Sequence, residues 1–278
     1  MPTQAEKGRL FRERHAKPGI LILPNPWDAG TAKLLQSLGF EALATTSLGM
    51  SIALGRPDGE NAVSRAELIA NCRQIAEATD LPVNADLENG YADDPKEAAS
   101  ILREAAEAGI VGGSIEDWSG EKIYDFNHAV ERVAAGVEMA RSLPVPFTFV
   151  ARAEGYGKRL ESLDDTLKRL QAFEKAGADV LYAPHFRDIA TMKLALSAVS
   201  KPLNVVMSAA DPSITVAEMD AIGVKRVSVG SALSRAALGA FLRAAREMRE
   251  HGTFAFADEA VSYRDINAMF AVQRTNDY

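Results

Sequence analysis

Short apolar runs alternate along this chain with longer stretches in which apolar positions recur every three or four residues. The runs predict strands near Ile20–Pro24, Ala42–Thr46, Leu81–Asp86, Val111–Glu116, Phe147–Arg152, Val180–Ala183, Leu203–Val206 and Arg226–Val229. The stretches between them, Asp28–Leu38, Ser64–Thr79, Pro95–Ala108, Asn127–Ser142, Ser162–Ala176, Asp188–Val199 and Thr215–Ile222, predict amphipathic helices. Leu38-Gly39, Ala108-Gly109, Ala176-Gly177 and Ile222-Gly223 stop four of these helices and lead into the next apolar run, as the αβ turns of a parallel sheet do. Eight β–α units in a chain of this length predict an α/β fold, a closed (β/α)8 TIM barrel. An open doubly wound sheet would place a Gly-rich dinucleotide loop after the first strand, and Asn25-Pro-Trp-Asp-Ala-Gly30 lacks it.

Two segments fall outside the eight units. Residues 1–17 hold a leading helix over Thr3–His15. After a long helix over Ser231–His251, the tail 252–278 carries Phe254, Phe256, Val261, Tyr263, Ile266, Met269 and Phe270. So many apolar residues beyond a barrel need cover. Packing on another subunit, with helix exchange as one form, and folding back on the same barrel both provide it. No linker rich in Gly, Pro or Ser interrupts the pattern, so residues 1–278 read as one domain.

Composition narrows the function. Of 278 residues, 47% are hydrophobic and 25% charged, the balance of a soluble globular protein. A net charge of −7 without a basic block argues against nucleic acid as a partner. No apolar run is long enough to span a membrane, and the polar start lacks a signal-peptide core, so a cytoplasmic location is the default expectation. The single cysteine, Cys72, excludes an intrachain disulfide and a Cys-rich zinc site. Its helical setting reads as a buried or half-buried thiol.

Candidate chemistry gathers at the predicted C-terminal strand ends, where such barrels keep their active sites. In Asn84-Ala-Asp-Leu-Glu-Asn-Gly-Tyr91, residues two apart share a strand face, so Asn84, Asp86 and Glu88 point one way. Glu116 joins them from Ser114-Ile-Glu-Asp117 on the next strand. These hard oxygen ligands suit Mg²⁺ or Mn²⁺. Arg152 ends the fifth strand and matches a carboxylate bidentately, although a salt bridge to Glu116 or Glu154 would also explain it. The turn Ser47-Leu48-Gly49 offers backbone N–H groups to an oxyanion. Trp27 and Tyr182, at the ends of the first and sixth strands, face the same mouth as candidate substrate contacts. Gly230-Ser231 reads either as a phosphate cup or as a plain helix cap. His185 follows a proline and is expected to point outward; His15, His128 and His251 fall on predicted helices and read as surface residues.

Phe40-Glu-Ala-Leu-Ala-Thr-Thr-Ser47, Asp86, the Glu116-Asp117 pair and Arg152 in Val-Ala-Arg together resemble the isocitrate lyase / phosphoenolpyruvate mutase superfamily, over about residues 18–245. The resemblance implies a (β/α)8 barrel with its last helix often exchanged between subunits, a tetramer commonly, a divalent metal and a pyruvate-like enolate. It implies backbone donors at Ser47 and Leu48, Asp58, Asp86 and Glu116 in the metal shell, and Arg152 on the substrate carboxylate. Three departures bear on the reaction. Asn84 stands where many members have the aspartate that binds the metal most directly. The Lys-x-Cys-Gly-His-type motif of the lyases is absent. The loop Asp117–Phe126 is short, and Pro184 takes the place of the phosphonomutase histidine.

The resulting expectation is a Mg²⁺-dependent carbon–carbon lyase acting on a small 2-oxo or 2-hydroxy di-acid, oxaloacetate-decarboxylase-like in one concrete form. The metal would act as a Lewis acid, and Ser47, Leu48 and Arg152 would hold the developing charge. Tyr91, Glu154, His185 or a water would protonate the enolate. P–C bond chemistry on phosphonopyruvate is the alternative enzyme, and a barrel that binds a 2-oxo acid without turnover is the alternative from another class. The expected partners are the small carboxylate substrate and further copies of the chain, as dimer or tetramer.

Overall fold

The computed structural model describes residues 2–57 and 62–271. Eight parallel strands form its centre: β1 (Leu21–Leu23), β2 (Leu43–Ala44), β3 (Val83–Asp86), β4 (Gly112–Glu116), β5 (Thr148–Arg152), β6 (Val180–Tyr182), β7 (Leu203–Val206) and β8 (Arg226–Ser228). From β2 to β8 each pairs with the next, and β1 pairs with β8 in the register Leu21↔Arg226 to Leu23↔Ser228. Between β1 and β2 the seam is carried by single bonds. Ala44 N–H donates to Pro24 O at 3.1 Å, and Asn25 Nδ2 donates to Thr45 O at 2.9 Å. The molecule is the expected (β/α)8 barrel, nearly closed by its ladders and sealed by these contacts.

The helices are α1 (Gln4–Ala16), α2 (Ala29–Ser37), α3 (Ser47–Ala53), α4 (Arg65–Glu77), α5 (Pro95–Glu107), α6 (Phe126–Ser142), α7 (Leu163–Lys175), α8 (Ile189–Ala198), α9 (Val216–Ala221), α10 (Ala232–His251) and α11 (Tyr263–Ala271). Strand alternation sorts the side chains. Ala85, Phe149, Ala151, Leu181, Val205 and Val227 face outward into the main core beneath the helices. A second cluster of Phe11, Leu21, Leu23, Ala42, Ala44 and Val111 fills the N-terminal floor. Here α1 acts as a plug. A Thr3–Glu6 capping box starts it, and its buried residues Gly8, Phe11 and His15 fall on one stripe. Phe11 is fully buried on the barrel axis side.

His15 is therefore not the surface residue its helix suggested. It is 9% exposed, bonded through Nδ1 to Phe11 O at 2.7 Å, and burial pushes its pKa down to about 4. Cys72 is a buried free thiol on α4, as expected, pushed up to about 12 by burial. Of the tail, α11 packs against α2 of the same barrel, while Phe254, Val261 and Tyr263 stay exposed. By contrast α10 buries only Ser234 along its 20 residues and leaves Phe241 66% and Leu242 48% exposed. No helix among the described residues is long and apolar enough to cross a membrane.

Candidate active site at the C-terminal mouth

Four charged side chains converge where β3, β4 and β5 end. The guanidinium of Arg152 contacts Asp86 through Nη1 at 3.4 Å and Glu116 through Nη1 at 3.2 Å, and its Nε donates to Glu154. The register explains the meeting, because Glu116 pairs with Arg152 and both point inward. Tyr182, next in register on β6, lays its ring 5.1 Å from the guanidinium carbon. Burial works against the charge of Arg152, but Glu116 and Glu154 outweigh it and hold the group protonated. Of the two explanations of this arginine in the sequence, the salt bridges are the one on view. Its Nη2 takes no part in the bonds just described.

Asp86 is fixed from two sides. Its N–H donates to Thr45 Oγ1 at 2.9 Å, and its Oδ2 accepts from Ser47 Oγ at 3.0 Å and, more weakly, from Ser47 N–H at 3.4 Å. Ser47, Leu48 and Gly49 do not form a simple turn. They open the short helix α3, capped by Thr46, whose Oγ1 accepts from Gly49 N–H at 3.2 Å. Gly49 is accordingly a packing residue. A Cβ there would stand 2.6 Å from Thr46 Cγ2 and 3.1 Å from Trp27 Cβ.

Other candidates are redistributed. Glu88 lies past the end of β3 with φ 49°, so the two-residue alternation stops before it. Its charge acts instead on the buried phenol of Tyr91, which burial and then Glu88 push upward. Asn84 does share the inward face but is 2% exposed, one pleat below Asp86. Its Oδ1 has no partner among the described residues and sits 2.9 Å from where a Cβ of Gly112 would stand, near Phe11. Trp27 is not among the residues that line the central cavity; Tyr182 is. Asp58 lies outside the described residues. The Gly230–Ser231 cup is occupied by the protein itself, since Asn25 Oδ1 accepts from Val229 N–H and Gly230 N–H, both at 2.9 Å. His185, with φ 71°, packs its ring against the β5–α7 loop, its Nδ1 2.6 Å from where a Cβ of Gly157 would be, and it is not among the residues that line the central cavity.

Sequence reasoning grouped Asp117 with Glu116, yet strand alternation sends it the other way. Asp117 is 3% exposed, accepts from Glu154 N–H at 2.8 Å, and contacts Arg169 Nη1 at 3.4 Å. Burial pushes its pKa up to about 7. Arg169 in turn grips Glu161 with bonds of 2.6–2.9 Å. This chain of pairs anchors the loop that carries Glu154, and so steadies Arg152. The pattern signal was present, because residues one apart on a strand face opposite ways.

Three carboxylates around one arginine leave an excess of negative charge. Glu116 registers it: burial, reinforced by Glu154, Asp86 and Glu88 and opposed by Arg152, pushes its pKa well above the ordinary range. A hard divalent cation fits that chemistry. Among the described residues no three His, Cys, Asp or Glu side chains form a ready-made cage. A Mg²⁺ ion, which keeps several waters and takes one or two protein carboxylates, needs none.

The family model for phosphoenolpyruvate phosphomutase matches residues 11–249. A crystal structure of a putative lyase/mutase from Burkholderia cenocepacia is 52% identical, covers 96% of both chains and superposes with a TM-score of 0.93. A probable 2-methylisocitrate lyase of Corynebacterium glutamicum is 26% identical over 98% of this chain and 90% of its own. Phosphonopyruvate hydrolase, solved as a complex with oxalate and Mg²⁺, is 22% identical, covers 96% of both chains and shares the fold with a TM-score of 0.85.

Proposed function

The chain belongs to the phosphoenolpyruvate phosphomutase family, and from that membership we propose that it is a Mg²⁺-dependent carbon–carbon lyase of a small 2-oxo or 2-hydroxy di-acid. The observation that carries this reading is the convergence of Asp86, Glu116 and Glu154 on Arg152 at the barrel mouth. Asp86 and Glu116 would hold the ion, with Asp58 and Glu88 as further or water-mediated contacts. When bound, it would supply a Lewis acid for the substrate's keto and carboxylate oxygens.

The chain's own residues do the rest. Arg152 presents Nη2 to a substrate carboxylate while its other nitrogens stay anchored. From a 2-oxo di-acid, loss of CO₂ by decarboxylation or of an aldehyde by retro-aldol leaves an enolate of pyruvate type; from a 2-hydroxy di-acid, C2–C3 cleavage releases a 2-oxo acid and leaves the enolate on the other carboxylate fragment. The first-turn amides of Leu48 and, shared weakly with Asp86, of Ser47 stabilise the oxyanion. The candidates for returning a proton to carbon are Glu154, in direct contact with Arg152, Tyr91 behind Glu88, and His185 on the β6–α8 loop. Tyr182 walls the site. Engagement of the Val229 and Gly230 amides by Asn25 removes one phosphate-binding element and weighs against P–C chemistry.

The test is a screen of 2-oxo and 2-hydroxy di-acids, oxaloacetate included, with phosphonopyruvate alongside. Mg²⁺-dependent release of a 2-oxo acid that disappears in Asp86→Asn is the expected result. Inorganic phosphate from phosphonopyruvate would replace this reading by the P–C one, and no turnover of any substrate would favour a binding barrel.

A further inference from the structure

The central cavity runs from Asp86 and Arg152 at the mouth, past Tyr182, to Arg226 on the wall opposite β4. Arg226 opens β8, is 3% exposed, and its Nε and Nη1 have no partner among the described residues. Its inward-facing neighbours in register are Asn204 on β7 and Leu21 on β1, and neither is charged. Below it the Phe11 ring lies 5.9 Å from the guanidinium carbon. The ionisable groups that feel it are the Tyr182 phenol and His15, which stays neutral at neutral pH. The carboxylates at the mouth are engaged by Arg152. Burial pushes Arg226 down to about 9, so it still carries its charge at neutral pH. A buried cation without a counter-ion is among the costliest arrangements in a protein interior.

We infer that Arg226 holds a small monovalent anion of halide size inside the barrel, beside Asn204 and Ser228. The cavity of about 50 Å³ admits such an ion with a water. A second donor is at hand. Asn204 Nδ2 donates to Ser228 Oγ at 3.1 Å while Asn204 Oδ1 has no partner. A half-turn of the amide lets the Ser228 hydroxyl donate to Oδ1 and turns Nδ2 toward the cavity. Asn84 Oδ1, an acceptor that also lines this cavity, sits by Gly112 on the β3–β4 side, across the barrel from β8. The site opens into the same cavity as Asp86 and Arg152, but its residues, Arg226, Asn204 and Ser228, are none of those assigned to the metal or the substrate.

Thermal unfolding of the full chain in sodium chloride, bromide and gluconate at one ionic strength tests it, gluconate being too large to enter. Tm should rise saturably with chloride and bromide but not with gluconate. Bromide-soaked crystals should show an anomalous peak within hydrogen-bond distance of Arg226. Asn204→Asp places a carboxylate in register with Arg226, keeps the side-chain shape, and should abolish the halide response while raising Tm in gluconate. Arg226→Met should abolish the response by removing the cation. A wild-type Tm that follows no halide, with no bromide peak, would overturn the inference and leave Arg226 to water alone. So would a halide response of full size in Asn204→Asp.

Discussion

Asp86, Glu116 and Arg152 were legible in the sequence because each is a charge at the C-terminal end of an apolar strand, and barrel geometry brings such ends together. Arg226 and His15 were not. Arg226 begins its strand and His15 ends a helix, and only the closed barrel turns both toward the floor. Their burial has a consequence for stability. His15 titrates at about 4 in the folded chain, chiefly through burial and then through the charge of Arg226, against 6.5 in the unfolded chain. The unfolded chain therefore binds the extra proton between those values. Stability from His15 is complete above about pH 6.5 and is lost as pH falls toward 4. Asp117, raised from 3.8 to about 7, acts in the opposite sense and loses its contribution as pH rises through that window. Urea unfolding of wild type against His15→Leu cancels the Asp117 part. The difference should grow by about 3 kcal/mol in favour of wild type from pH 4 to 7. A flat difference would show that His15 is solvated.

All eight strands were legible as elements, since a short apolar run followed by a helix-period stretch repeats eight times. α3 was not, because seven residues are too few for a helical period to stand out, and Ser47-Leu-Gly reads as a turn. The difference matters chemically. A turn would offer the Gly49 amide, whereas the Thr46 cap consumes it, leaving the Leu48 amide and that of Ser47, which is only weakly engaged by Asp86 at 3.4 Å. Gly49→Ala should push α3 off Thr46 and Trp27 and destabilise the fold by roughly 1–3 kcal/mol, the usual cost of overpacking. Calorimetry of the variant reads this. An unchanged Tm would mean that α3 yields freely and does not hold Ser47 against Asp86.

At the scale of the molecule, the barrel followed from repetition, but the tail could not be placed from composition, because apolar residues need cover and do not say where. α11 lies against α2 of the same barrel but buries none of its residues fully, and α10 exposes Phe241, Leu242 and Met248. We therefore propose that the chain assembles with its own copies through α10. Sedimentation should give a dimer or tetramer for wild type and a monomer for Phe241→Glu with Leu242→Glu; a monomeric wild type would refute this. The central claim, a metal-dependent enolate site built on Asp86, is reached most directly by thermal unfolding with oxalate, a planar mimic of pyruvate enolate. At about 100 times its Kd a ligand adds roughly 2.7 kcal/mol of stability, an easily measured shift. Oxalate should raise Tm with Mg²⁺, should not do so with EDTA, and should have no effect on Asp86→Ala. A shift that survives both EDTA and the loss of Asp86, or no shift under any condition, would contradict the account.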